Sequence, residues 1–472
     1  MKENAKCKPR LNVPALAGIW YTASSLIERG SAIIFTPIYT RLLLPEEYGV
    51  FSIYTGIIGI VSVFATLEIS GTAVYRGLRE FGDRDRFMSS ALGLISLSTL
   101  ISLSVYAILQ NPVNRLTGLG TPITLLLFFQ VFLNGVRSLR ISEAKFSYDK
   151  RLPLIEGIFF STVIPAVSIA LILLFDRDEY ARIFAMLLAS FIFAIPILFS
   201  VLYKGRLRIF DKSAWKFILK YTIPSLPHYL SMALIWQIGK ITVGRVFSSA
   251  EAGLLSIAVS VGLIPTLLTV GIQSALIPWI SRKLYAGSRG REKIYALISK
   301  VFLPLSLCVV LFLLLCPEMF RILGSANYSA ALPAVYPVCA AVPLVFLSNL
   351  FSAEIAHYGK TYLITVGSLI GAVFCLFCNL LFTLRLGFVF SAASILISFA
   401  IIVITYSVIL KRKFSHFELP AKRLLYIYTV FILLVILAIL LRISFAARVL
   451  LGAATLLILL PRLRELRPFF TE

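Results

Sequence analysis

Residues 41–53 read Arg-Leu-Leu-Leu-Pro-Glu-Glu-Tyr-Gly-Val-Phe-Ser-Ile, and residues 245–257 read Arg-Val-Phe-Ser-Ser-Ala-Glu-Ala-Gly-Leu-Leu-Ser-Ile. Five identities hold at a constant offset of 204 positions: Arg41/Arg245, Glu47/Glu251, Gly49/Gly253, Ser52/Ser256 and Ile53/Ile257. In each copy a short polar turn joins two long apolar segments. The arginine falls at the end of one predicted helix and the glutamate in the first turn of the next, where cation and acid each complement the helix dipole. Each copy opens a run of about six apolar segments, so the pair predicts two homologous halves.

Working outward, the 472-residue chain is 59% hydrophobic and 14% charged, with a mean hydropathy of +0.92. No soluble fold hides so much apolar side chain, so the bilayer is the expected solvent. Apolar stretches of about 20 residues recur from end to end, the length that a spanning helix needs. Backbone polar groups in lipid must pair within the chain, and the period-2 alternation of a membrane barrel is absent. The expected fold is an all-α integral membrane protein of fourteen segments, at 15–38, 48–74, 88–109, 120–142, 152–175, 180–203, 217–247, 252–281, 297–320, 331–356, 361–384, 388–410, 424–441 and 444–461. Two pseudo-symmetric six-helix lobes, at 1–206 and 207–413, are followed by a terminal helix pair at 414–472.

The net charge of +23 is distributed by loop and not by face. Of the 45 Lys and Arg residues, 34 gather in one alternating set of loops and nine in the other, with Arg29 and Lys240 left inside segments. The positive-inside rule accounts for this pattern, places both termini in the cytoplasm and removes the need for a nucleic-acid partner. No cleavable signal pattern opens the chain, so the first apolar run is expected to be retained. Cys308, Cys316, Cys339, Cys375 and Cys378 lie within apolar runs and Cys7 in the basic tail, which suits packing better than a disulfide framework. Prolines recur inside the segments and serve either as packing kinks or as points of bending.

An ionisable side chain near mid-bilayer costs about 2.5–3.5 kcal/mol on insertion scales and calls for a reason. The first segment carries Glu28 and Arg29 beside Tyr21, Thr22, Ser24, Ser25 and Ser31. The seventh carries His228 and Lys240, with Tyr229 and Trp236 on much the same side, and the second carries Glu68. One reading is a hydrated cavity for an anionic headgroup, with Arg29 and Lys240 on phosphate oxygens, Tyr229 and Trp236 on sugar rings, and Glu28 or Glu68 for coupling or charge balance. The other makes Glu28–Arg29 a locally compensated pair, lets Lys240 snorkel, and gives Glu68 and His228 structural roles. Glu354 and His357, three residues apart, read as an interfacial pair.

Three motifs lead nowhere. Gly359-Lys360-Thr361 ends like a phosphate-binding loop, but Glu354 stands where its leading glycine belongs. Asp176-Arg177-Asp178 lies in a loop of a few residues with no catalytic domain around it. Three histidines offer little to a zinc site, and no Ser/His/Asp set is legible, so neither an enzyme, a metal nor a cofactor is expected.

The stretch Thr40-Arg41-Leu42-Leu43-Leu44-Pro45-Glu46-Glu47-Tyr48-Gly49 resembles the first loop of bacterial lipid-linked oligosaccharide flippases, the repeat-unit translocases of O-antigen, lipopolysaccharide and capsule pathways. Tyr221–Leu230, Ala252–Ser256, Pro278-Trp279, Gly359-Lys360-Thr361 and Asn379 extend the resemblance over nearly the whole chain. It implies the multidrug/oligosaccharidyl-lipid/polysaccharide exporter fold, alternating access, a lipid-linked oligosaccharide as substrate, membrane lipid as surroundings, and a polysaccharide polymerase and glycosyltransferases as pathway partners. Where such proteins often carry Asp-Arg late in the seventh segment, this chain has Gly239-Lys240, which keeps a cation and loses an acid. A cation-coupled multidrug exporter, a peptidoglycan-precursor flippase and a membrane glycosyltransferase or polymerase are the alternatives. The last would need a large outer loop that this sequence lacks.

The charge alternation makes a topological prediction. In a cysteine-free background, single cysteines in the 204–212 loop and in the 115–120 turn are expected to react with impermeant reagents from opposite sides of membrane vesicles. Labelling from one side would overturn the segment count.

Overall fold

The computed structural model describes residues 13–175, 180–284, 287–323, 326–413 and 420–471. It is all-helical, with no strand among the described residues. In chain order the helices are α1 (Val13–Leu42), α2 (Pro45–Thr66), the short α3 (Ile69–Thr72) and α4 (Val74–Glu80), α5 (Arg84–Ile108), α6 (Gln110–Thr117), α7 (Thr121–Phe146), α8 (Arg151–Leu174), α9 (Ala181–Lys204) and α10 (Lys212–Thr222). The second run holds α11 (Leu226–Val246), α12 (Ser249–Gly262), α13 (Thr266–Leu284), α14 (Gly287–Leu323), α15 (Leu332–His357), α16 (Tyr362–Leu381), the short α17 (Thr383–Leu386) and α18 (Phe388–Lys413), followed by α19 (Ala421–Leu440) and α20 (Phe445–Thr471).

Eleven of the described helices are long and apolar enough to cross a membrane, or twelve when the bent pair α12–α13 counts as one span. This is a multi-pass membrane protein. Two further helices, α1 and α11, have spanning length at 30 and 21 residues but stand outside that set. They carry Glu28, Arg29, His228 and Lys240, and this polar content lowers their hydropathy.

The repeated turns form as their residues predict. Arg41 and Arg245 lie in the last turns of α1 and α11, and Glu47 and Glu251 in the first turns of α2 and α12. Glu47 accepts a hydrogen bond from the Leu44 backbone N–H at 2.6 Å, and Ser248 accepts one from Glu251 N–H at 3.2 Å, so each helix start has a side chain on a backbone donor. The two turns then pack on each other. A Cβ on Gly49 would stand 1.8 Å from the Ser249 carbonyl oxygen, and one on Gly253 would stand 2.1 Å from that of Pro45. Residues 45 and 249, like 49 and 253, are related by the offset of 204, so this is one contact made twice about a pseudo-twofold axis. Glycine is required because backbone meets backbone there.

Aromatic packing closes the same end of the bundle. The Arg182 guanidinium lies 4.1, 4.5 and 3.8 Å from the ring centroids of Tyr39, Tyr48 and Phe51, which ties α9 onto the α1–α2 turn. Tyr328 donates to the Leu43 carbonyl at 3.1 Å and meets Tyr48 edge-on. At the opposite, basic end, Asp211 caps α10 and pairs with Arg86 at 2.9 Å. Hydrogen bonds from Ser213 and Ala214, together with Arg86, hold its carboxyl below the usual carboxylate range.

Three predicted segments are broken instead of continuous. The second breaks after Thr66, where Leu67 and Glu68 take φ values of 51° and 47°. Left-handed backbone costs a non-glycine residue about 1–2 kcal/mol. The eighth bends by 42° between α12 and α13, at Leu263-Ile264-Pro265, because Pro265 has no N–H to continue the helix. The predicted seventh segment, 217–247, divides into α10, a 3₁₀ turn over Ile223–Ser225 and α11, with Pro224 and Pro227 at the join.

The glycine contact is expected to be intolerant of one methyl group. Gly49→Ala and Gly253→Ala should each lower the melting temperature in detergent, whereas Gly271→Ala, whose Cβ meets nothing within 4 Å, should leave it unchanged. Overpacking of this kind costs about 1–3 kcal/mol.

Candidate functional site

Among the ionisable residues inside the helices, Lys240 stands on the wall of a cavity. Trp236, Gln237 and Lys240 lie within one turn or so of α11, so they share its inner face. The cavity they line has a volume of about 690 Å³. Thr36 of α1, Leu263, Ile264, Thr266 and Gln273 around the α12–α13 bend, Asn349 of α15 and Phe399 of α18 complete much of the wall. Trp236 packs on Phe399 with ring centroids 5.3 Å apart, leaving an aromatic face at the chamber. The Lys240 ammonium donates to Gln237 Oε1 at 3.1 Å. Among the described lining residues Lys240 is the only ionisable side chain, so its charge has a neutral partner.

A second cavity of about 490 Å³ adjoins the first, toward the basic end of the bundle. Its wall includes Pro224, His228 and Tyr229 of the seventh segment and Thr361 and Thr365 at the start of α16. Gln273 and Asn349 line both cavities, and Asn349 Nδ2 donates to Gln273 Oε1 at 3.4 Å across their boundary.

The structure therefore places Lys240 and Trp236 together in the larger chamber and Tyr229 in the smaller. Glu68 sits at the break after α2, within electrostatic reach of Tyr229, whose hydroxyl comes close to α3 at Gly71. Glu28 is exposed on α1 and within electrostatic reach of Glu156 on α8, outside the described lining of either cavity. The Arg29 side chain lies outside the described residues, as do Cys7 and Asp176-Arg177-Asp178. His228 shares a hydrogen bond with Ser368 at 2.9 Å, and buried Glu354 accepts one from Tyr295 at 2.9 Å. Among the described residues no group of three His, Cys, Asp or Glu could hold a metal ion.

Two features do not follow from the positions of charges and histidines alone. The neutral amides Gln237, Gln273 and Asn349 all line the cavities, and their signal in the sequence is an amide within an apolar run. Arg137, expected among the cations of the basic loop after the fourth segment although it falls inside 120–142, lies on α7. It pairs with Glu156 at 3.2 Å and stacks on Phe160 at 4.4 Å, both on α8. The spacing of α7 and α8 in sequence could not have paired them.

The family described as polysaccharide biosynthesis protein matches residues 17–284. A protein of the Lsg locus of Haemophilus influenzae is 24% identical over 371 residues, covering 75% of this chain and 87% of that protein. Among solved structures, the lipid II flippase MurJ in an inward closed conformation superposes with a TM-score of 0.70 at 14% identity, covering 93% of this chain and 98% of that one. A multidrug resistance MATE family transporter of the MOP superfamily gives 0.64 in an inward-facing conformation, at 14% identity over 84% of this chain and 98% of that one. An outward-facing structure of such a transporter gives 0.55, at 15% identity over 88% and 99%. These likenesses show the fold.

The Arg137–Glu156 pair yields a stability prediction. Both side chains are largely buried, at 22% and 15% exposure, so Arg137→Met alone should strand a carboxylate and destabilise the protein by about 3 kcal/mol. Arg137→Met combined with Glu156→Leu should recover much of the loss. Thermal unfolding in detergent measures both.

Proposed function

The chain belongs to the polysaccharide biosynthesis protein family, and from that premise we propose that it is a flippase for a polyprenyl-pyrophosphate-linked oligosaccharide. The direction we propose is from the cytoplasmic to the outer leaflet of the bacterial inner membrane, in the service of a surface polysaccharide such as O-antigen or capsule. The observation that carries this reading is Lys240: an ammonium on the wall of a large internal cavity, hydrogen-bonded to a neutral amide. A half-buried cation without a counter-ion is costly, and an incoming phosphate would supply the missing charge. Trp236 in the same chamber and Tyr229 in the next offer faces for sugar rings.

The cycle we infer is alternating access between lobes 1–206 and 207–413, with the terminal pair 414–472 carried on the second. Both termini and the basic end are cytoplasmic in this scheme, and the end sealed by Gly49, Gly253 and Arg182 faces outward. The better superposition on inward-facing than on outward-facing transporters, 0.64 against 0.55, supports that assignment. The smaller cavity then lies on the entry side, and the lipid tail stays in the bilayer while the headgroup crosses. Arg29 joins Lys240 on the pyrophosphate, and Glu28 and Glu68 supply charge balance or coupling. A polymerase and glycosyltransferases act on either side of the transport step.

A second reading, a cation-coupled multidrug exporter, draws on the shared fold. It calls for an acidic cavity, and the lone ionisable group among the described lining residues is basic.

Reconstitution separates the two. With a fluorescent polyprenyl-pyrophosphate oligosaccharide in liposomes, wild type should translocate it, and Arg29→Ala and Lys240→Ala should each reduce the rate at least tenfold while remaining folded. Intact rates in both variants would overturn the site. Extrusion of ethidium with no lipid movement would replace the flippase reading with the exporter.

A further inference from the structure

Gln273 and Asn349 stand at the boundary of the two cavities, and four observations distinguish them from ordinary packing residues. Both line both chambers. Asn349 is exposed in the middle of α15, although Phe346, Leu347, Ser348, Leu350 and Phe351 around it are all buried. Its side chain therefore leaves the packed helix for open space. The contact between the two amides is long, at 3.4 Å. Gln273 Nε2 is shielded within the fold and has no hydrogen-bond partner there, so this amide would have to turn to present its N–H groups to the cavity.

A buried amide donor with no acceptor is costly, and turning it toward an acceptor in the cavity removes that cost. A carboxamide both donates and accepts, so the pair can answer hydroxyl or N-acetyl groups in either sense. Being neutral, it holds phosphate less strongly than an ammonium does. The two chemistries are thus separated in space, with the cation at Lys240 inside the larger chamber and the amides at the threshold.

We propose that the Gln273–Asn349 pair is a glycan-reading threshold: as a headgroup enters, the two amides part from each other and hydrogen-bond its sugars. The proposal rests on the flippase reading and adds to it a pair of residues that recognises the glycan independently of the phosphates. Replacing the weak amide–amide contact by amide–sugar contacts makes recognition and passage between chambers the same event. A site built around hydrogen-bonding groups discriminates strongly against a ligand that leaves them unpaired.

The test compares two probes on the full-length protein in nanodiscs: a short-chain polyprenyl diphosphate, bare or carrying an N-acetylhexosamine disaccharide. Wild type should bind the glycosylated probe at least tenfold more tightly than the bare one. Gln273→Leu and Asn349→Leu should abolish that ratio with the affinity for the bare probe unchanged, and Asn349→Gln should restore part of it. Lys240→Ala should weaken both probes equally. A ratio of one in wild type, or a ratio that survives in both leucine variants, overturns the threshold while binding of the bare probe keeps the flippase reading. Failure of wild type to bind either probe overturns the flippase reading, and the threshold with it.

Discussion

The contact between the two repeated turns is the constraint on which the rest depends. Gly49 lies on the carbonyl of Ser249 and Gly253 on that of Pro45, so α2 and α12 approach as closely as two helices can. In a membrane, where lipid is as apolar as the helix surface, close van der Waals packing of small residues is a principal source of helix association. Because the contact is duplicated about one axis, it sets the halves in register. Arg182 among three rings and Tyr328 on the Leu43 carbonyl then seal the same end. With that end joined, the open space between helices falls on the far side of the seam, where both cavities lie.

The helices that enter directly from the turns are also the ones that break. α2 stops at two left-handed residues and α12 bends at Pro265, so neither runs straight through the bundle. Leu263, Ile264 and Thr266 at the second break line the larger cavity. Irregular backbone at membrane depth is tolerated where it borders a cavity instead of lipid. Breaks, cavity and Lys240 thus belong to one arrangement: the bend makes room, and the room admits a charge that lipid would exclude.

Much of this was legible in residue order. The 204-residue offset predicts two halves, and the ionisable groups in otherwise apolar helices point to Lys240 and Trp236, which share a chamber. Periodicity could not separate a straight segment from a broken one. Leu67 and Glu68 have no glycine or proline to betray the break, and the bend at Pro265 was hidden in a continuous apolar run. Arg137 groups in sequence with the loop cations that follow it, although it lies inside α7, because its partner on another helix is not visible along the chain.

Sequence alone determined the solvent, the helical class and the duplication, because these follow from composition, segment length and repetition along one chain. Tertiary structure decided which polar groups share a space. Lys240 meets Gln237 within a turn of its own helix, but Gln273 and Asn349 are 76 residues apart, and Arg137 meets Glu156 across a helix interface. Periodicity reports the face on which a residue lies, not what that face opposes. Only the packing of the helices, set by backbone contact at two glycines, selects the opposing face.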